Sequence, residues 1–202
     1  MRNGTVQVVK RCRQRTLETD INIAVYSLCD PKITQSYFEK SPVLPYSYSI
    51  DSFLNPAIED RSDRTDMKEE IGLLEEIVLP RLDFIQLQSD LLVFYDEMET
   101  AEYGSPIINC SHRIYAALAA GNYEAARISL DAIFSQNRNA LEAMRKQRTE
   151  AQHEEACERT RIRQIPLRRV EKMILDRNTE GILHFIEETK QRNISFLQDS
   201  SF

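Results

Sequence analysis

Four side chains in this sequence could hold a metal ion: Cys110, His112, His153 and Cys157. Thiolate sulfur and imidazole nitrogen are the donors of a tetrahedral zinc site, and two of each make a common set. His153 and Cys157 are four apart, so on a helix they project from one face. Cys110 and His112 stand at the start of another predicted helix and complete the set if the two segments meet. The same region offers a second chemistry, a ligand pocket in which Asn109, His112 and Tyr115 converge between a central helix and the hairpin of residues 107–144. The bland reading treats isolated Cys and His as buried filler or exposed polar residues.

Other chemistry finds little support. There is no Gly-x-Ser-x-Gly elbow, no His-Glu-x-x-His pair and no glycine-rich phosphate loop, so no catalytic residue and no cofactor is expected. Asp96, Glu97 and Glu99 could form a carboxylate cluster with Glu69, Glu70, Glu75 and Glu76. Without a Glu-x-x-His pair a di-iron site has no foundation, and a solvated acidic face is the simpler expectation. Arg161, Arg163, Arg168 and Arg169 belong to a basic cluster that could touch phosphates. The net charge of −6 disfavours a general nucleic-acid binder, and opposed charge blocks more often solvate helix faces or pair with each other.

Whatever its chemistry, the chain needs elements to position it. Only five glycines occur in 202 residues, and Ala, Leu, Glu, Arg and Gln are plentiful, a composition that favours helix. Hydrophobic residues at 42% and charged residues at 29% fall in the globular range. No apolar run approaches the ~20 residues of a membrane span, and MRNGTVQVVKRCRQR has no apolar block of signal-peptide length. The four cysteines stand singly, which suits reduced thiols, so a cytoplasmic location without membrane partners is expected.

Leu17, Ile21, Ala24, Val25 and Leu28 recur at helical spacing and predict a first helix closed by Asp30-Pro31. Thr5–Val9 is ambiguous between strand and helix. The alternating YSYSI, residues 46–50, reads as an extended loop, since one isolated strand has no backbone partner. Residues 66–100 predict a long apolar central helix, with a kink or break at Pro80, where a backbone donor is missing. In AALAAGNYEAARISLDAIF, residues 116–134, Gly121 ends one helical arm and Asn122 caps the next.

A similar hairpin follows 56 positions later, where Ile114, Leu118, Asn122, Glu124 and Leu130 fall on Val170, Ile174, Asn178, Glu180 and Ile186. Residues 1–150 are therefore expected to form the main bundle, 151–165 a charged helix extension or linker, and 166–202 a C-terminal hairpin packed on the same domain. HRIYAALAAGNYEAARISL resembles the last helical hairpin of the FCD ligand-binding domains of GntR-type bacterial regulators, over about 20 residues. Where that family commonly has a metal-ligating histidine near the end of the second arm, this sequence has Ile133. The Gly-Asn-Tyr-Glu-Ala-Ala turn is equally similar to tetratricopeptide repeats, whose 34-residue period the 56-residue offset does not fit. The expected fold class is all-α, a bundle of about six or seven helices. The expected function is non-catalytic binding, as an adaptor, chaperone-like or regulatory module that meets a protein partner or another copy of itself. A ligand- or metal-sensing bundle is the alternative, and nucleic-acid binding through the Arg-rich stretches the third.

Overall fold

The computed structural model describes residues 4–13, 16–25, 27–31, 47–49, 71–104, 107–108 and 110–199. Among the described residues, the body of the protein is an all-α bundle of six helices. A π-helical turn, Leu74–Val78, runs into α1 (Leu79–Asp83), and α2 (Gln88–Tyr103) follows. Then come α3 (Ser111–Ala119), α4 (Tyr123–Arg145), α5 (Glu150–Leu175) and α6 (Thr179–Asp199).

The central position belongs to α3 rather than to one long helix over residues 66–100. Seven of its nine residues are buried, including Ile114, Tyr115, Ala116, Ala117 and Leu118. Leu91, Tyr95 and Met98 of α2, Leu130 and Phe134 of α4, Val170 of α5 and Ile182 of α6 are buried in the same core. Ala116 and Ala117 leave little side-chain bulk, so neighbouring elements can approach the α3 backbone closely.

Residues 66–70 of the predicted long helix lie outside the described residues. Pro80 does not itself break the helix; it sits in the first turn of α1, where a missing donor is tolerated. The preceding turn widens instead, the Leu79 N–H reaching back to the Leu74 carbonyl, as a π-bulge does. The real break is at residues 84–87, where the Asp90 carboxylate accepts the N–H groups of Gln86 at 3.1 Å and Leu87 at 2.8 Å. Those two bonds satisfy donors that a helix start leaves over.

Among the described residues, three strands precede the bundle, and they correct the expected first helix. Gly4–Arg13 (β1) pairs antiparallel with Thr16–Val25 (β2), setting Val6 opposite Ile23 and Val8 opposite Ile21. In TLETDINIAV the residues Leu17, Thr19, Ile21, Ile23 and Val25 alternate with polar or small ones, and this period of two outweighs the partial helical spacing. Ser47–Ser49 (β3) pairs with β2, so the YSYSI alternation has the backbone partner that the loop reading denied it. Tyr46 and Ile50 lie outside the described residues.

The sheet's exit is tied to the bundle. The Tyr95 hydroxyl donates to the Val25 carbonyl at 3.0 Å, and the Ser27 hydroxyl to Gln88 at 2.9 Å. The fully buried Asn193 of α6 donates through one amide nitrogen to the carbonyls of Leu28 at 2.7 Å and Asp30 at 2.8 Å. Residues 151–165, expected as extension or linker, are helix: α5 starts on a Thr149–Gln152 capping box and continues past Pro166.

Candidate functional site

Polar groups gather where α2 ends and α3 begins. The Gly104 N–H closes α2 on Thr100, and the positive φ of 77° there suits a residue without a Cβ. The chain returns to Cys110, the N-cap of α3, and His112 follows inside its first turn. Glu99 lies one helical turn beyond Tyr95 on α2, so its carboxylate falls on the buried side. One oxygen of Glu99 is 3.0 Å from His112 Nε2; the other accepts the Ile107 N–H at 2.6 Å. Donor atoms of Glu99, Cys110 and His112 all lie within 4.8 Å of one another.

Burial gives this group its character. Glu99 is 4% exposed and His112 2%, while Cys110 is half-buried. The Tyr95 ring meets the imidazole edge-on at 4.5 Å between centroids, fixing the plane of His112. Beside it Arg113 holds Asp96 through two nitrogens, at 2.8 and 3.1 Å, and donates to the buried Ser129 hydroxyl at 2.9 Å. That fork joins α2, α3 and α4, so the supports of Glu99 and His112 are themselves cross-braced.

The expected metal set is divided by this arrangement. Cys110 and His112 are together, but their third neighbour is Glu99. His153 and Cys157 face each other on α5, with sulfur to ring nitrogen at 3.7–3.8 Å, and do not join them. Glu99 was expected on a solvated acidic face, and its spacing held the contrary signal: Leu91, Tyr95 and Glu99 recur every fourth residue on a buried stripe. Of the expected ligand pocket, Asn109 lies outside the described residues. His112 and Tyr115 are buried. Burial, reinforced by the charge of Asp30, pushes the Tyr115 hydroxyl well above the ordinary phenol range.

Three of the four candidate arginines are engaged along their own helix or over a ring. Arg161 pairs with Glu158 at 2.6 Å, and Arg168 pairs with Glu171 and stacks 3.7 Å over Phe134. Arg169 lies 6.0 Å from the Phe185 ring centre, and Arg163 is exposed.

A second region stands out on the outer side of α2. At the break between α1 and α2, Phe84 is 81% exposed and Leu87 65%. Phe84, Ile85, Val93 and Phe94 line an open groove of about 340 Å³, rimmed by Arg81, Asp90 and Glu97. Arg81 and Glu97 approach to 3.4 Å, so the rim carries both signs of charge. No helix among the described residues is long and apolar enough to cross a membrane. No known protein family, curated protein or solved structure matches this chain.

Proposed function

We propose that this protein works by binding rather than by catalysis, as a helical interaction module, and that the groove beside Phe84 receives a second copy of the chain. The observation that carries the reading is Phe84 itself. A phenylalanine left 81% in water forgoes about 2 kcal/mol that burial would supply. It also stands beside apolar Ile85, Val93 and Phe94, whereas Ile162 and Ile165 on α5 stand among exposed charged residues.

The charges favour a second copy over an unrelated partner. In a two-fold contact each surface meets itself, so a useful rim must be self-complementary. The rim has both signs: Arg81 pairs with Glu97 at 3.4 Å within one chain, and a two-fold partner can extend that pair into a network with its own Arg81 and acids. A role as adaptor or regulatory module would follow from pairing that responds to concentration.

Sedimentation of the wild type and of Phe84→Asp tests this. A two-fold interface uses Phe84 twice, so the substitution should weaken association at least ~100-fold. Equal association by both proteins would remove Phe84 from the interface, and a wild-type chain that stays monomeric would end the proposal.

A further inference from the structure

A different part of α2 carries an inference independent of self-association. We propose that Glu99, Cys110 and His112 bind one divalent transition-metal ion of borderline softness, such as Zn2+, leaving a fourth coordination position for water or a small ligand. The donors are one carboxylate oxygen, one thiolate sulfur and one imidazole nitrogen, each a known zinc ligand. They already lie within 4.8 Å of one another. Zinc with bonds of about 2.0–2.3 Å holds tetrahedral donors about 3.3–3.6 Å apart, so the widest separation needs to close by at most about 1.5 Å while His112 Nε2 and its Glu99 oxygen, 3.0 Å apart, open slightly.

Charge and support point the same way. Glu99 is 4% exposed, so an ion bound to it would be held largely out of water, where its attraction to an anionic donor is strong. A divalent ion balances the carboxylate and the thiolate together. On binding, Cys110 releases its thiol proton to solvent, and His112 coordinates as neutral imidazole through a ring nitrogen that carries no proton. Cys110 is also the N-cap of a nine-residue helix, where the backbone dipole favours an anion. The second layer of such a site is present: the Ile107 N–H holds one Glu99 oxygen at 2.6 Å, and the Tyr95 ring fixes the imidazole plane. The donor set crosses from α2 to α3, so the ion would tie the ends of these two helices together.

The test uses the full chain, stripped with chelator and titrated with Co2+ and with Zn2+. Co2+ should give a thiolate-to-metal charge-transfer band saturating at one equivalent, which Cys110→Ser abolishes and Cys157→Ser retains. One equivalent of Zn2+ should slow iodoacetamide labelling of Cys110 in the wild-type protein at least tenfold, with Cys157 labelled at its former rate. This second readout needs no variant, so a misfolded Cys110→Ser leaves the question decidable. Absence of the band, its survival in Cys110→Ser, or unprotected Cys110 would each overturn the proposal. Because sedimentation reads the Phe84 face and labelling reads Cys110, failure of one is distinguishable from failure of the other.

Discussion

Glu99 concentrates the structural role of the polar centre in one side chain. Its two oxygens serve His112, which is buried, and the N–H of the half-buried Ile107, and both would lose that bond without it. Glu99→Ala should lower unfolding stability by about 3 kcal/mol, the usual cost of removing one member of a buried polar pair. Urea unfolding would show this as a lower midpoint at unchanged slope; a midpoint within error of the wild type would contradict it. Tyr115 makes a pH-dependent prediction. Its hydroxyl titrates higher in the folded chain than the ~10 of an unfolded tyrosine, because burial and then the charge of Asp30 disfavour phenolate. The folded state therefore holds its proton where the unfolded state loses it, so this contribution is intact below pH ~10 and lost as pH rises above it. Tyr115→Phe should flatten the alkaline limb of stability against pH, and an unchanged limb would count against the assignment. Cys110, His112 and Tyr115 are legible in the sequence by residue type, but His153 and Cys157 look equally able to join the first two, because both pairs are alike in residue type. Glu99 is masked by neighbouring acids that suggest a wet face. Spacing from Leu91 and Tyr95, rather than composition, decides which way a carboxylate on α2 points.

The two hairpins show how far local physics carries at the scale of elements. Gly121 has φ of 74°, the Asn122 N–H closes on the Ala117 carbonyl at 2.8 Å, and the Asn122 side chain accepts the Ala125 N–H at 3.0 Å. At an offset of 56 residues Arg177 has φ of 52°, the Asn178 N–H closes on Met173 at 2.9 Å, and the Asn178 side chain accepts the Gly181 N–H at 2.9 Å. The same cap is thus built once with glycine and once with arginine in the left-handed region, where a side chain costs roughly 1–2 kcal/mol. Arg177→Gly should stabilise by about 1 kcal/mol and Gly121→Ala should destabilise by a similar amount. Thermal unfolding of the two variants checks the pair, and shifts of the same sign would refute it. These caps were legible because Gly-Asn and Asn-x-Glu act within a few residues. The β1–β2 hairpin was harder, since Leu17, Ile21 and Leu28 satisfy a helical period while Leu17, Ile21 and Ile23 also fit a strand. The choice between them depends on β1 and β3 as hydrogen-bond partners, which no window of the sequence contains. Likewise the break at 84–87 turns on Asp90 reaching back to Gln86 and Leu87, a cap without the usual serine or threonine at the N-cap position.

Across the whole molecule, α2 divides two roles between its faces. Its inner side carries Leu91, Tyr95, Met98 and Glu99 into the core and the polar centre. Its outer side carries Val93 and Glu97 to the groove beside Phe84. The all-α class was readable from the scarcity of glycine and the recurring apolar stripes, whereas the exposure of Phe84 was not, because it depends on where the neighbouring helices stop. Asn193 and Arg192 of α6 reach back across most of the sequence to the carbonyls of Leu28, Asp30 and Pro31, so the chain's early segment is fastened to its last helix. Such closure gives a body on which an exposed apolar face can act as a surface with a fixed shape. Light scattering coupled to size exclusion, run over a range of loading concentrations, tests self-association most directly. Pairing through the Phe84 face predicts a mass rising with concentration towards twice the 23.5 kDa of the chain, and held near one chain in Phe84→Asp. A mass that stays at one chain at every concentration would contradict it.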